Sequence, residues 1–118
     1  MSELKVYLYS KCGTCRKAKQ FLQEREIPFS EIPIREQPPT VSELERMLAA
    51  YQGEIRKLFN TSGQDYRNGG YKEKLKQMDT QQALAELAGN GNLIKRPFVI
   101  SDRIQRVGFR QEEWESLF

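Results

Sequence analysis

The sequence contains no histidine, and its only two cysteines lie in one short segment. The absence of histidine excludes Cys–His and Ser–His catalytic pairs, imidazole ligands for a metal ion and histidine-based pH sensing. A structural zinc site needs four ligands, and two thiols supply only half of them. The sequence therefore predicts no metal site and no cofactor, and it assigns any chemistry to thiols, carboxylates, lysines, arginines and backbone groups.

Long apolar runs are also absent. None approaches the roughly 20 residues needed to span a bilayer, and the start, Met-Ser-Glu-Leu-Lys, lacks the apolar core of a signal peptide. We therefore expect a cytoplasmic protein without membrane contacts. The net charge is +3 and the basic residues are interspersed with acidic ones, so the charge pattern does not favour direct nucleic-acid binding. A length of 118 residues predicts one domain over 1–118.

The two cysteines form a Cys-x-x-Cys pair, Cys12-Gly13-Thr14-Cys15, between an apolar alternation and a helical pattern. In a reducing compartment this spacing is typical of a redox or metal site rather than of a structural disulfide. A sulfur at a helix start lies near unpaired backbone N–H groups and the positive end of the helix dipole, which favour the thiolate. Cys12 is the predicted nucleophile, and Cys15 is the predicted resolving residue that attacks a mixed disulfide. Nearby positive charge should lower the thiol pKa further, from Lys11, Arg16 and Lys17.

The order of predicted elements indicates an α/β protein. A strand over 4–9, a helix from 15 to about 25 and a strand within 27–34 form a βαβ unit with parallel strands. A helical segment of about 37–91 follows, and its first helix has the capping box Thr40-x-x-Glu43 and ends at Gly53. Within it, 60–63 and 68–70 are predicted turns and 71–78 and 80–88 are predicted helices. A β-hairpin over 93–100 and 104–109 and a closing helix over 111–118 complete the chain.

This order resembles the thioredoxin fold with an insertion, and the motifs resemble those of the arsenate-reductase-related (ArsC-like) family, including its Spx/MgsR-type branch. The resemblance implies a mixed four-stranded sheet with a helical insertion between the second and third strands. It also implies that Pro97 follows a cis peptide bond and faces the thiol. The motifs are Cys12-Gly13-Thr14-Cys15-Arg16-Lys17-Ala18, Leu58-Phe59-Asn60-Thr61-Ser62-Gly63, Tyr71-Lys72-Glu73-Lys74-Leu75, Leu93-Ile94-Lys95-Arg96-Pro97 and Val107-Gly108-Phe109.

The resemblance implies an anion-binding site beside the nucleophile. Arsenate reductases of this family use one cysteine, which matches Cys12, and three arginines around the oxyanion. Arg96 matches one of these arginines, and Asn60 occupies the position of a second. The third falls near Phe109, where the neighbouring arginines are Arg106 and Arg110. We therefore predict Arg96 as the anion-binding residue, with supporting positions at Thr14, Arg16, Asn60 and Pro97.

Three functions remain open at this stage. The first is a thiol–disulfide redox protein with a Cys12/Cys15 switch that is reduced by thioredoxin, glutaredoxin or a low-molecular-weight thiol. The second is a redox-sensing regulator, because Spx-type proteins bind the C-terminal domain of the RNA polymerase α subunit, with a glycine that falls at about Gly53. The third is an arsenate reductase. If the protein is an enzyme, these residues indicate a thiol-dependent oxidoreductase.

Overall fold

The computed structural model describes residues 3–118, and within this range no helix is both long and apolar enough to cross a bilayer. Short 3₁₀ turns lie at Ile55–Leu58 and Gly91–Leu93. The strands are β1 (Lys5–Leu8), β2 (Ser30–Pro33), β3 (Phe98–Ile100) and β4 (Gln105–Val107). The helices are α1 (Gly13–Glu24), α2 (Val41–Ala50), α3 (Gln64–Asn68), α4 (Tyr71–Lys74), α5 (Thr80–Gly89) and α6 (Gln111–Leu117).

The four strands form one mixed sheet in the order β2-β1-β3-β4. Strand β1 pairs in parallel with β2 and antiparallel with β3, and β3 pairs antiparallel with β4. The predicted α/β class, the parallel βαβ unit and the C-terminal hairpin are therefore confirmed. The helical insertion lies between β2 and β3, as predicted.

Helices cover both faces of the sheet. Successive side chains of a strand point to opposite faces, so β1 contributes to both buried clusters. Val6 and Leu8 of β1 belong to a buried cluster with α1 and α6, whereas Tyr7 belongs to a cluster with the insertion helices. Helix α1 contributes residues at helical spacing, namely Cys15, Ala18, Phe21 and Leu22. The burial of this stripe fixes the start of α1 against the end of β1, where the two cysteines lie.

The predicted strand over 93–100 is wrong in its first half. Leu93 lies in a 3₁₀ turn, and Ile94 forms a single antiparallel bridge with Phe59 of the insertion. The Asn60 backbone N–H donates to the Leu93 carbonyl at 2.7 Å, so this segment pairs with the insertion instead of with the sheet. The predicted helical segment of about 37–91 therefore also contains one residue in a β-bridge, Phe59. The bridge places Asn60 beside the segment that leads into β3.

The middle of the insertion also differs from the prediction. The helix predicted over 71–78 is shorter, at Tyr71–Lys74, and the additional helix α3 precedes it at Gln64–Asn68. The two helices are separated by Gly70, whose φ of +68° is readily adopted only by glycine. Capping boxes begin two of the helices, with Thr40 and Glu43 at α2 and with Asp79 and Gln82 at α5.

A buried carboxylate ties the start of α2 to the sheet. Glu43 is only 9% exposed, and its side chain accepts hydrogen bonds from the Tyr7 hydroxyl at 2.7 Å and from the Thr40 backbone N–H at 3.1 Å. The Lys5 ammonium group lies 3.3 Å from the same carboxylate. Burial alone would raise the Glu43 pKa, but Tyr7, Thr40 and Lys5 together hold it below its ordinary value. Burial and Glu43 in turn raise the pKa of Tyr7, which keeps its hydroxyl a donor at neutral pH.

We expect Glu43→Gln to lower the free energy of unfolding at pH 7 by about 2 kcal/mol, because hydrogen bonds to a charged group contribute roughly 1.5–3 kcal/mol. A carboxyl group whose pKa is lowered by folding stabilises the protein above its unfolded pKa, and this contribution is lost as the pH falls through the folded value. Urea unfolding at pH 7 and at pH 3 measures both effects. The variant should approach the wild type at the lower pH, and an equal difference at both values would contradict this assignment.

Candidate functional site

Cys12 lies in the turn between β1 and α1 and is the N-cap residue of α1. Its backbone N–H donates to the Tyr9 carbonyl at 3.0 Å, and its own carbonyl accepts from the Arg16 N–H at 3.1 Å. The side chain is half-buried, and the first turn of α1 contains no acidic residue. The sulfur therefore lies at the positive end of a helix without a neighbouring carboxylate in that turn. The helix begins at Gly13, two residues earlier than the predicted start at Cys15, which makes Cys12 the cap residue.

Cys15 lies one turn further along α1 and is 1% exposed. Its sulfur accepts a weak hydrogen bond from the Tyr9 backbone N–H, with 3.5 Å between the nitrogen and the sulfur. Both cysteines are free thiols in this structure. The Cys pair is therefore brought to one end of α1 in its reduced form, with one sulfur accessible and the other covered.

The two thiols differ in acidity. Burial tends to raise the pKa of Cys12, but the Cys15 backbone N–H, the Cys15 thiol and the Arg96 guanidinium outweigh it and lower that pKa. Burial raises the pKa of Cys15 to about 12, and the Cys12 sulfur adds to this rise. Cys12 is therefore the sulfur of the pair that loses its proton more readily, and Cys15 stays protonated at neutral pH.

The cation that acts on Cys12 comes from the segment before β3. Arg96 is half-buried, and its guanidinium lies over the Tyr9 ring, 5.1 Å from the ring centroid. Its Nη1 atom is buried and has no hydrogen-bond partner in the described part of the chain. The Arg96–Pro97 peptide bond is cis, as the family resemblance implied. A buried guanidinium nitrogen without a partner is suited to donate a hydrogen bond to an anionic group next to the sulfur.

Cys12 opens into a cavity of about 360 Å³, a size typical of small-molecule sites. Positive charge on its wall comes from Lys95, Arg96 and Arg110, and none of the described residues that line it is acidic. The Phe109 ring forms part of the wall and is held by an edge contact with Trp114, with 4.8 Å between ring centroids. Polar groups on the wall come from Thr14, Asn60 and Ser62. The cavity is therefore suited to a negatively charged ligand.

Comparison with known proteins identifies the family. The model of the ArsC family matches residues 7–117, which is nearly the whole chain. The chain belongs to the ArsC family. It is 44% identical to the protein YusI of Bacillus subtilis over 95% of each chain, and 30% identical to the global transcriptional regulator Spx of Enterococcus faecalis over 93% of this chain and 82% of Spx.

The ArsC fold is also found in a solved structure of high similarity. An ArsC family related protein from Bacteroides fragilis superimposes with a TM-score of 0.89 at 39% identity, over 98% of this chain and 99% of that one. The predicted thioredoxin-like fold and the predicted family are thus confirmed.

The cavity of this ArsC-family chain includes most of the predicted site residues. Cys12, Thr14, Asn60 and Arg96 line it together. Arg16 does not line it, because its Nε donates to the Ser10 carbonyl at 3.0 Å and so braces the preceding loop. Lys11, Arg16 and Lys17 were expected to lower the Cys12 pKa further. The cation that lowers it is instead Arg96, a residue distant in sequence.

The structure separates the two arginines left open near Phe109. Arg110 lines the Cys12 cavity, whereas Arg106 donates to the Gln105 carbonyl at 2.7 Å and lies 3.7 Å from Glu113. Sequence reasoning assigned no site role to Lys95, Ser62 or Tyr9. The first two are in the quoted family motifs, whereas nothing in the sequence pairs the Tyr9 ring with Arg96. Among the described residues, no group of three or more His, Cys, Asp or Glu side chains could hold a metal ion.

Proposed function

We propose that this protein is a thiol–disulfide redox protein that uses Cys12 as nucleophile and Cys15 as resolving cysteine. The observation that carries this proposal is the unequal acidity of the pair, with the pKa of the accessible sulfur lowered and that of the covered sulfur raised. A redox dithiol needs this asymmetry, because one sulfur attacks the partner and the other stays protonated until the mixed disulfide has formed. The acid-free, positively charged cavity in front of Cys12 supports a partner that carries negative charge.

In the first step the Cys12 thiolate attacks one sulfur of a partner disulfide. A Cys12 mixed disulfide forms, and the other partner sulfur leaves as a thiolate. Attack from Cys12 is favoured over attack from Cys15 because Cys15 is protonated and 1% exposed. Arg96 stabilises negative charge beside the reacting sulfur, both on the resting thiolate and on an anionic partner.

In the second step the Cys15 sulfur attacks the Cys12 sulfur. This displaces the partner thiolate, which takes the Cys15 proton, and leaves a Cys12–Cys15 disulfide; the partner gains two electrons and the Cys pair loses two. The first step prepares the second, because mixed-disulfide formation removes the Cys12 charge that helps to raise the Cys15 pKa. Thioredoxin, glutaredoxin or a low-molecular-weight thiol would then return two electrons and two protons to the pair.

The test is the pH dependence of Cys12 alkylation. Reaction with iodoacetamide, followed by peptide mapping, should modify Cys12 with a midpoint below that of an ordinary thiol and should leave Cys15 unmodified near neutral pH. We expect Arg96→Ala to move this midpoint to higher pH and to slow alkylation at pH 6.5 on the order of tenfold, because it removes the cation beside the sulfur.

The matched control for this test is Lys95→Ala. Lys95 lines the same cavity and is exposed, but it is not among the groups that lower the Cys12 pKa. Its loss should leave the alkylation profile close to that of the wild type. Equal shifts in both variants would assign the effect to general positive charge, and an ordinary midpoint in the wild type would refute an activated nucleophile.

A redox-sensing regulator is the second candidate, on the basis of 30% identity to Spx. Gly53 has φ +81°, donates its N–H to the Leu48 carbonyl at 3.0 Å and is exposed; α2 itself ends at Ala50, earlier than predicted. Binding to the isolated C-terminal domain of the polymerase α subunit can be compared for reduced and oxidised protein, with Cys12→Ser as the variant that cannot form the disulfide. Redox-dependent capture of the wild type alone would favour this role, and no capture in either state would exclude it.

An arsenate reductase is the third candidate. The cavity has two arginines, Arg96 and Arg110, and the amide of Asn60 beside Cys12. Arsenite formation with a glutaredoxin or thioredoxin supply tests it directly, and the activity should be lost in Arg96→Ala. Absence of arsenite with the wild-type protein would remove this candidate without affecting the thiol–disulfide proposal.

A further inference from the structure

Tyr9 contacts both cysteines and Arg96. Its carbonyl accepts the Cys12 N–H at 3.0 Å, and its N–H reaches the Cys15 sulfur at 3.5 Å. These two contacts come from the backbone and would survive a change of side chain. The side chain has a separate set of contacts, and these lead to Arg96 and Arg35.

The Tyr9 ring carries two guanidinium groups. Arg96 lies 5.1 Å and Arg35 lies 4.9 Å from its centroid, and both distances are within the range of cation–π attraction. The Tyr9 hydroxyl also accepts a hydrogen bond from Arg35 Nη1 at 2.9 Å. Arg35 therefore contacts both the hydroxyl and the ring of Tyr9, and Arg96 contacts the ring.

Hydrogen bonds alone do not fix the orientation of the Arg96 guanidinium. Its Nη1 atom is buried without a partner in the described residues, so no protein acceptor fixes the guanidinium at that end. A long side chain without an acceptor would otherwise sample several rotamers, some of them away from the sulfur. The contact with the Tyr9 ring orients the group and leaves its N–H donors available.

We propose that the Tyr9 side chain is a positioning residue, which holds the Arg96 guanidinium beside Cys12 through its ring face and so leaves the Arg96 donors free for an anionic partner. This inference rests on the proposed function, in which Cys12 attacks and Arg96 stabilises the charge. It predicts that the aromatic ring, and not the hydroxyl, is required. It also predicts that Tyr9 has no effect once Arg96 is absent.

The experiment measures the pH profile of Cys12 alkylation by iodoacetamide in the full chain. Tyr9→Leu should move the profile to higher pH and slow the reaction at pH 6.5 by about threefold, as expected for the loss of one cation–π contact. Tyr9→Phe keeps the ring and removes only the bond from Arg35, so it should match the wild type. Tyr9→Met is a second non-aromatic variant of similar size, and it replaces Tyr9→Leu if that protein does not fold.

The decisive arm introduces Tyr9→Leu into the Arg96→Ala protein. If Tyr9 acts through Arg96, the double variant should have the profile of Arg96→Ala alone. Additive shifts would mean that Tyr9 shapes the cysteine loop by packing, and equal losses in Tyr9→Phe and Tyr9→Leu would assign the effect to the hydroxyl; either result overturns the inference. If Arg96→Ala alone leaves the profile unchanged, the charge-stabilising part of the proposed function fails. If Arg96→Ala shifts the profile and Tyr9→Leu does not, only the Tyr9 inference fails.

Discussion

Wild-type protein treated with peroxide is expected to lose the mass of about two hydrogen atoms, and the Cys12→Ser protein is expected to show no such loss. The reason is that the disulfide needs both sulfurs, and Cys12 is the one with the lowered pKa and an opening to the cavity. The loss can be assigned to the Cys12–Cys15 pair, because no other cysteine occurs in the chain. Intact-mass spectrometry before and after reduction measures it.

Removal of the second sulfur should give a different product. With a small disulfide such as oxidised glutathione, the Cys15→Ser protein should accumulate a stable mixed disulfide at Cys12, whereas the wild type should pass through it to the internal disulfide. Because Cys15 is buried, serine at this position introduces a polar group, and Cys15→Ala is the companion variant that avoids it.

Two outcomes would contradict the proposed roles of the cysteines. One is an unchanged dithiol in the wild type after oxidant treatment. The other is an internal disulfide that forms no faster than an unactivated thiol is oxidised under the same conditions. Thermal unfolding of each variant serves as the control for folding. An adduct on Cys15 in place of Cys12 would reverse the assigned order of attack.

Gly91→Ala is expected to cause the largest loss of stability among the substitutions considered. A Cβ atom at Gly91 would lie 1.9 Å from the Ile34 carbonyl oxygen and 2.7 Å from its carbonyl carbon. These are backbone atoms that follow β2, and the Ile34 N–H is bonded to the Leu8 carbonyl of β1 at 3.0 Å. Relief of the clash therefore requires the end of β2 or the 3₁₀ turn to move. Overpacking of this kind costs about 3 kcal/mol, which urea unfolding would detect.

The matched control is Gly89→Ala. Gly89 is two residues earlier and exposed, and a Cβ there would have no heavy atom within 4 Å. It is the last residue of α5, where alanine is a better helix former than glycine. We expect the control to be neutral or slightly stabilising. Similar losses in both variants would show that the segment 89–91 is sensitive to any substitution and that the close approach to Ile34 is not the cause.

The sequence predicted most of the fold because its elements have clear local signals. The alternation in 4–9, the helical spacing after Cys15 and the Thr40-x-x-Glu43 box each specify one element, and all three lie where predicted within a few residues. The errors fall where a distant segment decided the outcome. Leu93 and Ile94 have strand character, yet their partner is Phe59 in the insertion, so they lie outside the sheet.

The candidate site divides in the same way. The Cys-x-x-Cys spacing was sufficient to place one sulfur at the start of a helix and the other one turn further along, because both positions belong to the same local element. The family motifs added Arg96 and Asn60. The nearest cations in sequence gave the wrong source of charge, since Arg16 bonds to Ser10 and the charge that acts on Cys12 comes from Arg96.

The sequence by itself determined which reactive groups this protein has, because it contains no histidine and places both of its cysteines at the start of one helix. Only the tertiary structure decided how those thiols differ. The burial of Cys15 beneath the sheet, the approach of Arg96 from the segment before β3 and its contact with the Tyr9 ring all join residues far apart in the chain. Acidity depends on the distance to charges and on exclusion of water, and both are properties of the folded chain rather than of sequence spacing.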